Sequence, residues 1–152
     1  MAETTRREVV TGNVIAISSL IFFILLIIHN FFVLDTTTVK SLLSLAGQKT
    51  STHSVNQVLN SFRFDGIMYL LAYLAGVIAY WNRHPYLWWF MFAVYISNAF
   101  FTLVNLYMVV QGILEAKNVI AAFPILIVVI GSLILAAYML IVSIKRKSTF
   151  NR

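Results

Sequence analysis

Four long apolar runs dominate this sequence and limit the folds that are open to it. They cover residues 14–34, 62–81, 86–110 and 119–144. A helix needs about 20 residues, at 1.5 Å each, to cross roughly 30 Å of hydrocarbon. The chain is 61% hydrophobic and only 11% charged, whereas soluble domains carry about 25% charged residues. The sequence therefore predicts an all-α membrane protein in which residues 1–152 form a single four-transmembrane-helix domain.

The basic residues predict that both chain ends face the cytoplasm. That orientation places seven basic residues inside, namely Arg6, Arg7, Arg83, Lys145, Arg146, Lys147 and Arg152. Four lie on the opposite side, namely Lys40, Lys49, Arg63 and Lys117. Since Lys and Arg are enriched in cytoplasmic loops, seven against four favours this topology. The protein would then lie in a bacterial inner membrane, the endoplasmic reticulum or a mitochondrial inner membrane.

Aromatic and basic side chains mark where the helices should meet the membrane surface. Trp81, Trp88 and Trp89 flank the short link between the second and third helices. Tryptophan favours the headgroup level, so we predict that all three anchor the protein there. Lys145, Arg146 and Lys147 follow the fourth helix. Each cation contributes about 1 kcal/mol beside anionic headgroups, which predicts a second set of anchors.

The long outer loop, residues 35–61, carries a helical pattern of its own. Val39, Leu42, Leu43 and Ala46 fall on one face of a short amphipathic helix that Gly47 would end. Val55, Val58, Leu59 and Phe62 repeat the spacing and run into the second transmembrane helix. Two interfacial turns that cap the bundle are the simpler interpretation. A docking surface or a lid over a cavity is the alternative.

Missing residue types exclude several kinds of chemistry. The chain has no cysteine, which excludes disulfides, thiolate metal sites and cysteine nucleophiles. The apolar runs lack the deeply embedded carboxylate of a proton-coupled multidrug transporter, unless Asp65 near the outer end of the second helix supplies one. We also expect no nucleic-acid partner, because the basic residues flank helices and form no separate patch. No cofactor or metal is expected.

Polar side chains recur along one face of the third helix. They are Tyr95, Asn98, Thr102 and Asn105, and the second helix carries Tyr69 and Tyr73 on one of its own faces. An interhelical hydrogen bond from an amide in lipid contributes about 0.6–2 kcal/mol. We therefore expect the tyrosines to bind the asparagines and join the two helices. A hydrated or ligand-lined groove is the alternative.

A second polar set lies toward the outer side, namely His29, Asn30, Asp35 and Asp65. A histidine near the end of a helix is usually satisfied by a local hydrogen bond. The alternative is that these groups, with His53, converge on an acid–base or metal site.

Three classes of function fit this sequence. We favour a non-catalytic subunit or assembly protein of a larger membrane complex, with lipids and other membrane proteins as partners, because the helices lack embedded charge. The first alternative is a small transporter, channel or lipid-binding carrier that uses the polar face of the third helix. The second is a membrane enzyme that acts on a lipid or quinone near His29, Asp35 and Asp65.

Overall fold

The computed structural model describes residues 2–152, with side chains from residue 5 onward, and every regular element in that part of the chain is helical. Four helices are long and apolar enough to cross a membrane, namely Thr5–Val33, Thr52–Tyr80, Pro85–Ala116 and Val119–Arg146. They contain the apolar runs of the sequence to within one residue. The prediction of an all-helical protein with four helices of this kind is confirmed.

Five α-helices form the fold of the described residues. Helix α1, Ala2–Ile27, continues as a π-helical turn, Ile28–Val33, and a short α2, Thr36–Leu45, follows. Helix α3, Thr52–Gly76, ends in a 3-10 turn, Val77–Tyr80; α4 is Pro85–Ala116 and α5 is Val119–Arg146. The starts of α2 to α5 are set by capping side chains that accept backbone N–H bonds, namely Asp35, Ser51, His84 and Asn118.

The link between α1 and α3 is mostly helical. Val39 and Leu42 of α2 are buried, and the turn after α2 places Gly47 at a φ of +68°, in the left-handed region. Helix α3 begins at Thr52, well before the apolar run at Phe62. Its first turns lie outside the continuous apolar run, but Ser51 caps them and Val55 and Leu59 pack with Val39 of α2. The second amphipathic segment is thus the beginning of α3.

Helices α3 and α4 contact each other over part of their length and separate over the rest. Helix α1 packs against α3 and α5, and α4 packs against α5. The approach of α1 to α3 requires a glycine, because a Cβ at Gly76 would overlap the Ser19 hydroxyl and Met91. Helix α2 contacts both α3 and α4 at the end of the bundle opposite the termini.

The chain termini meet at the other end. Arg152 donates to Glu8 and to the carbonyl of Arg83, each at 2.7 Å. Left-handed backbone at Lys147, Phe150 and Asn151 turns this tail back toward the bundle. Phe150 is consequently buried and its ring lies 5.0 Å from that of Trp88.

Candidate functional site

A cleft of about 910 Å³ lies between α3 and α4. Phe64, Met68 and Leu71 of α3 line one wall, and Phe90 and Phe101 of α4 belong to the other. These five side chains are between 47% and 67% exposed, and they lie in helices that are long and apolar enough to cross a membrane. The cleft therefore opens sideways, onto the surface that a bilayer would cover.

The back of the cleft is polar where α1 lines it. His29 and Asn30 lie in the π-helical turn, and each is only 5% exposed. His29 Nδ1 and Asn30 Nδ2 are buried, and neither has a hydrogen-bond partner among the described residues. Buried polar groups are normally paired, and π-turns are frequent at functional sites. The two side chains are therefore the strongest marks of a binding site in this cleft.

Asn30 is held close to α3 by a glycine. A Cβ at Gly66 would overlap the side-chain amide of Asn30. Gly66 thus makes room for a polar group in the wall that α1 and α3 share. Asp65, the next residue, also lines the cleft and is itself exposed.

A hydrogen-bonded network fixes the polar face of α4. Asn98 Nδ2 donates to the Tyr73 hydroxyl at 2.7 Å, and that hydroxyl lies 2.9 Å from Ser132 Oγ of α5. Because Tyr73 accepts from Asn98, its own hydrogen is available to Ser132. Tyr73 is fully buried and Asn98 is 5% exposed, so this network joins three helices.

The other residues of the predicted polar face have different surroundings. The Tyr69 hydroxyl donates to Ser97 at 3.3 Å, and the Thr102 hydroxyl lies 3.5 Å from Asn98 Oδ1. Tyr69, Thr102 and the exposed Asn105 all line the cleft. Tyr95 points elsewhere, since its hydroxyl lies 2.6 Å from Ser19 Oγ of α1.

The predicted outer cluster is divided by the fold. His29, Asn30 and Asp65 line the cleft, whereas Asp35 caps α2 and pairs with Lys117 at 2.5 Å. Partial burial raises the pKa of Asp35, but hydrogen bonds from Lys117 and Thr38 outweigh it and hold the pKa below its usual value. In the described part of the chain, no three His, Asp or Glu side chains are grouped to hold a metal ion.

The predicted anchors differ in exposure. Trp81 and Trp89 are 67% and 47% exposed, as a surface anchor requires, and Lys145, Arg146 and Lys147 are exposed. Trp88 is fully buried, because Phe150 packs on its ring and its indole N–H donates to Ser143 at 2.9 Å. Trp88 thus lies inside the bundle and not at the surface where the sequence places an anchor.

Sequence reasoning missed the hydroxyls that complete these contacts. Ser19, Ser132 and Ser143 lie in apolar runs and bind Tyr95, Tyr73 and Trp88. Their signal was available, since a serine in an apolar run needs a partner. The π-turn at His29 has no comparable sequence signal.

The comparisons with known proteins identify no family: no family model, curated protein or solved structure matches this chain. The cleft and its residues are therefore the basis for any functional argument.

Proposed function

We propose that this protein binds a lipid-like amphiphile in the cleft between α3 and α4. The observation that carries the proposal is the form of the cleft, which has a volume of about 910 Å³, apolar aromatic walls and a polar back. Binding sites for small molecules typically measure about 300–1,000 Å³ and are mostly apolar, with a few polar groups that orient the ligand. An amphiphile has both parts, a chain for the walls and a head group for His29 and Asn30.

The sideways opening supports a ligand that arrives from the membrane. Phe64, Met68 and Phe101 at the rim are exposed in spanning helices. A lipid could enter between α3 and α4 without leaving the hydrocarbon, so its chain would pay no penalty for crossing water. This proposal corresponds to the lipid-binding carrier that the sequence analysis gives as an alternative function.

A pair of matched substitutions on α4 tests the proposal. Thr102 lines the cleft, whereas Val104, of nearly the same shape, is 68% exposed and lies outside it. Thr102→Phe should narrow the cleft and lower the amount of co-purified lipid about tenfold, which is 1.4 kcal/mol of binding free energy. Val104→Phe should leave it unchanged. Native mass spectrometry in a mild detergent measures bound lipid per chain.

Equal lipid in both variants, or none in the unmodified protein, contradicts the proposal. A melting curve of each variant in the same detergent shows whether Thr102→Phe is folded. If it is not, Asn105→Phe, at an exposed position of the same wall, provides the second measurement.

We also propose, as a second candidate, that the protein is a subunit of a larger membrane complex. Helix α3 favours this function, because 22% of its most apolar stretch is buried in the chain, against 33% to 44% for the other spans. A partner helix could cover Ile67, which is 45% exposed and outside the cleft. Co-purification from native membranes at fixed stoichiometry, lost in Ile67→Trp, is the expected result; recovery of the chain alone contradicts it.

A further inference from the structure

We propose that the ligand of the cleft is a long-chain lipid with an uncharged hydroxyl head group, such as a fatty alcohol or a diacylglycerol. This inference rests on the proposed function, and it names the chemistry that the cleft would select. It follows from the charge of the lining residues and from the unpaired groups of the π-turn.

The charge of the cleft disfavours an anionic head group. Asp65 is the one charged side chain among its lining residues, and no Lys or Arg accompanies it there in the described part of the chain. Like charges repel strongly where the surroundings are apolar, because the interaction is poorly screened. A free carboxylate or a phosphate would meet the Asp65 carboxylate with no cation in the lining to offset it.

The unpaired groups favour a head group that both donates and accepts hydrogen bonds. Asn30 Nδ2 is a donor without an acceptor, and a neutral His29 ring has one donor and one acceptor nitrogen. A hydroxyl supplies one donor and two acceptor positions, so a single hydroxyl can serve both residues. An ammonium group donates only, and it would leave Asn30 unsatisfied.

The geometry lets a ligand reach these groups. His29 and Asn30 both line the cleft, although the two unpaired nitrogens themselves are covered. The terminal χ2 torsion of His and Asn is broad and roughly two-fold, so rotation can turn a nitrogen toward the cleft. Asn98 is already engaged with Tyr73 and stays in place. The head group would therefore lie against α1, with its chain between the aromatic walls.

Three photoreactive probes of equal chain length test the head group. They are a sixteen-carbon alcohol, the corresponding carboxylic acid and the corresponding amine, each with a diazirine on the chain. The purified full-length protein is labelled in lipid nanodiscs, and the modified peptides are mapped by mass spectrometry. The alcohol should label cleft peptides about tenfold more than the acid, and more than the amine.

Two substitutions identify the groups responsible. Asn30→Leu should abolish the preference for the alcohol over the amine, whereas Asn13→Leu, on the same helix outside the cleft, should retain it. Since Asn30 packs on Gly66, its variant could fail to fold. Asp65→Asn, at an exposed position, is the second test, and it should raise labelling by the acid.

The outcomes separate this inference from the proposed function. Cleft labelling in which the acid or the amine equals the alcohol overturns the hydroxyl head group but supports amphiphile binding. Labelling of cleft peptides by none of the three probes overturns both. Acid labelling that does not change in Asp65→Asn contradicts the role given to the carboxylate.

Discussion

At the scale of single residues, the fold separates two asparagines that the sequence places on one helical face. Asn98 is buried and donates to Tyr73, which lies within 2.9 Å of Ser132 on α5. Asn105, two turns away, is exposed along the cleft. The first asparagine joins helices, whereas the second contributes to a surface.

The two asparagines should therefore differ in their effect on stability. Asn98→Leu leaves Tyr73 without its donor and breaks a link between α3 and α4, so the free energy of unfolding should fall by about 1–2 kcal/mol. Asn105→Leu should change it by less than about 0.5 kcal/mol, as expected for a surface position. Thermal unfolding in detergent, followed by circular dichroism, measures both. Equal losses of unfolding free energy would show that Asn98 and Asn105 contribute alike to the contact between α3 and α4.

The sequence predicts part of this site. The spacing of Asn98 and Tyr73 indicated that their helices join, because an amide in lipid needs a partner. It could not indicate that Tyr95 turns to Ser19 of α1, since that depends on how α1 packs. The unpaired state of His29 was also hidden, because a π-turn arises from the local backbone and not from side-chain periodicity.

At the scale of elements, α2 connects the two helices that border the cleft. Its Val39 belongs to the small core with α3. Its Leu42 packs on Gly112 of α4, where a Cβ would lie 2.8 Å from the leucine side chain. The Asp35–Lys117 pair adds a link from the start of α2 to the end of α4.

The contribution of this ion pair should depend on pH. Lys117→Met should lower the free energy of unfolding at neutral pH by about 0.2–1 kcal/mol, since the side chains of the pair are 32% and 35% exposed. The lowered pKa of Asp35 stabilises the fold above the unfolded-state value of about 3.9. That contribution is lost as the pH falls through the folded-state pKa. Unfolding measured between pH 3 and 7 should therefore show the two proteins converging in acid.

Lys40→Met is the matched control, because Lys40 is an exposed lysine of α2 itself. It should not reproduce the pH-dependent difference. A constant difference between Lys117→Met and the unmodified protein at every pH would mean that the lysine acts through packing. The difference should also shrink in high salt, which screens exposed charges.

Hydropathy predicted the existence of the four long helices but not their full extent. Helix α3 begins at Thr52, and its first turns depend on capping by Ser51 and on burial of Val55 against α2. Those contacts depend on where α2 packs, and the continuous apolar run itself begins at Phe62. Trp88 is a similar case, since its burial depends on the left-handed turns that bring Phe150 onto it.

At the scale of the whole molecule, the tight link between α3 and α4 did not determine how they pack. The sequence favours a hairpin joined along its polar faces, and Asn98 does bind Tyr73 between the two helices. Helices α1 and α5 lie behind them, and α2 contacts both at one end. The Tyr73–Asn98 bond joins α3 to α4 beside an open cleft. Which helices pack against each other depends on contacts between distant parts of the chain, and a single sequence carries no signal for them.

The orientation of the bundle gives the last prediction. We propose that both termini face the cytoplasm, because seven Lys and Arg residues lie at their end and in the link beside it, against four elsewhere. The cysteine-free chain allows single reporters at Gln48 and Asn82, which are exposed in opposite links. In spheroplasts of an expressing bacterium, a membrane-impermeant maleimide should label Gln48→Cys at once. Asn82→Cys should react after permeabilisation.

The reverse labelling would contradict the proposed orientation and would move α2 to the cytoplasmic side. The unmodified protein, without a thiol, gives the background. In either orientation the cleft opens toward the bilayer, but the orientation decides which leaflet lies beside His29 and Asn30. In the proposed orientation they lie in the outer half of the membrane. A lipid bound there would therefore be drawn from the outer leaflet, and leaflet-specific delivery of the alcohol probe should label the cleft from that side.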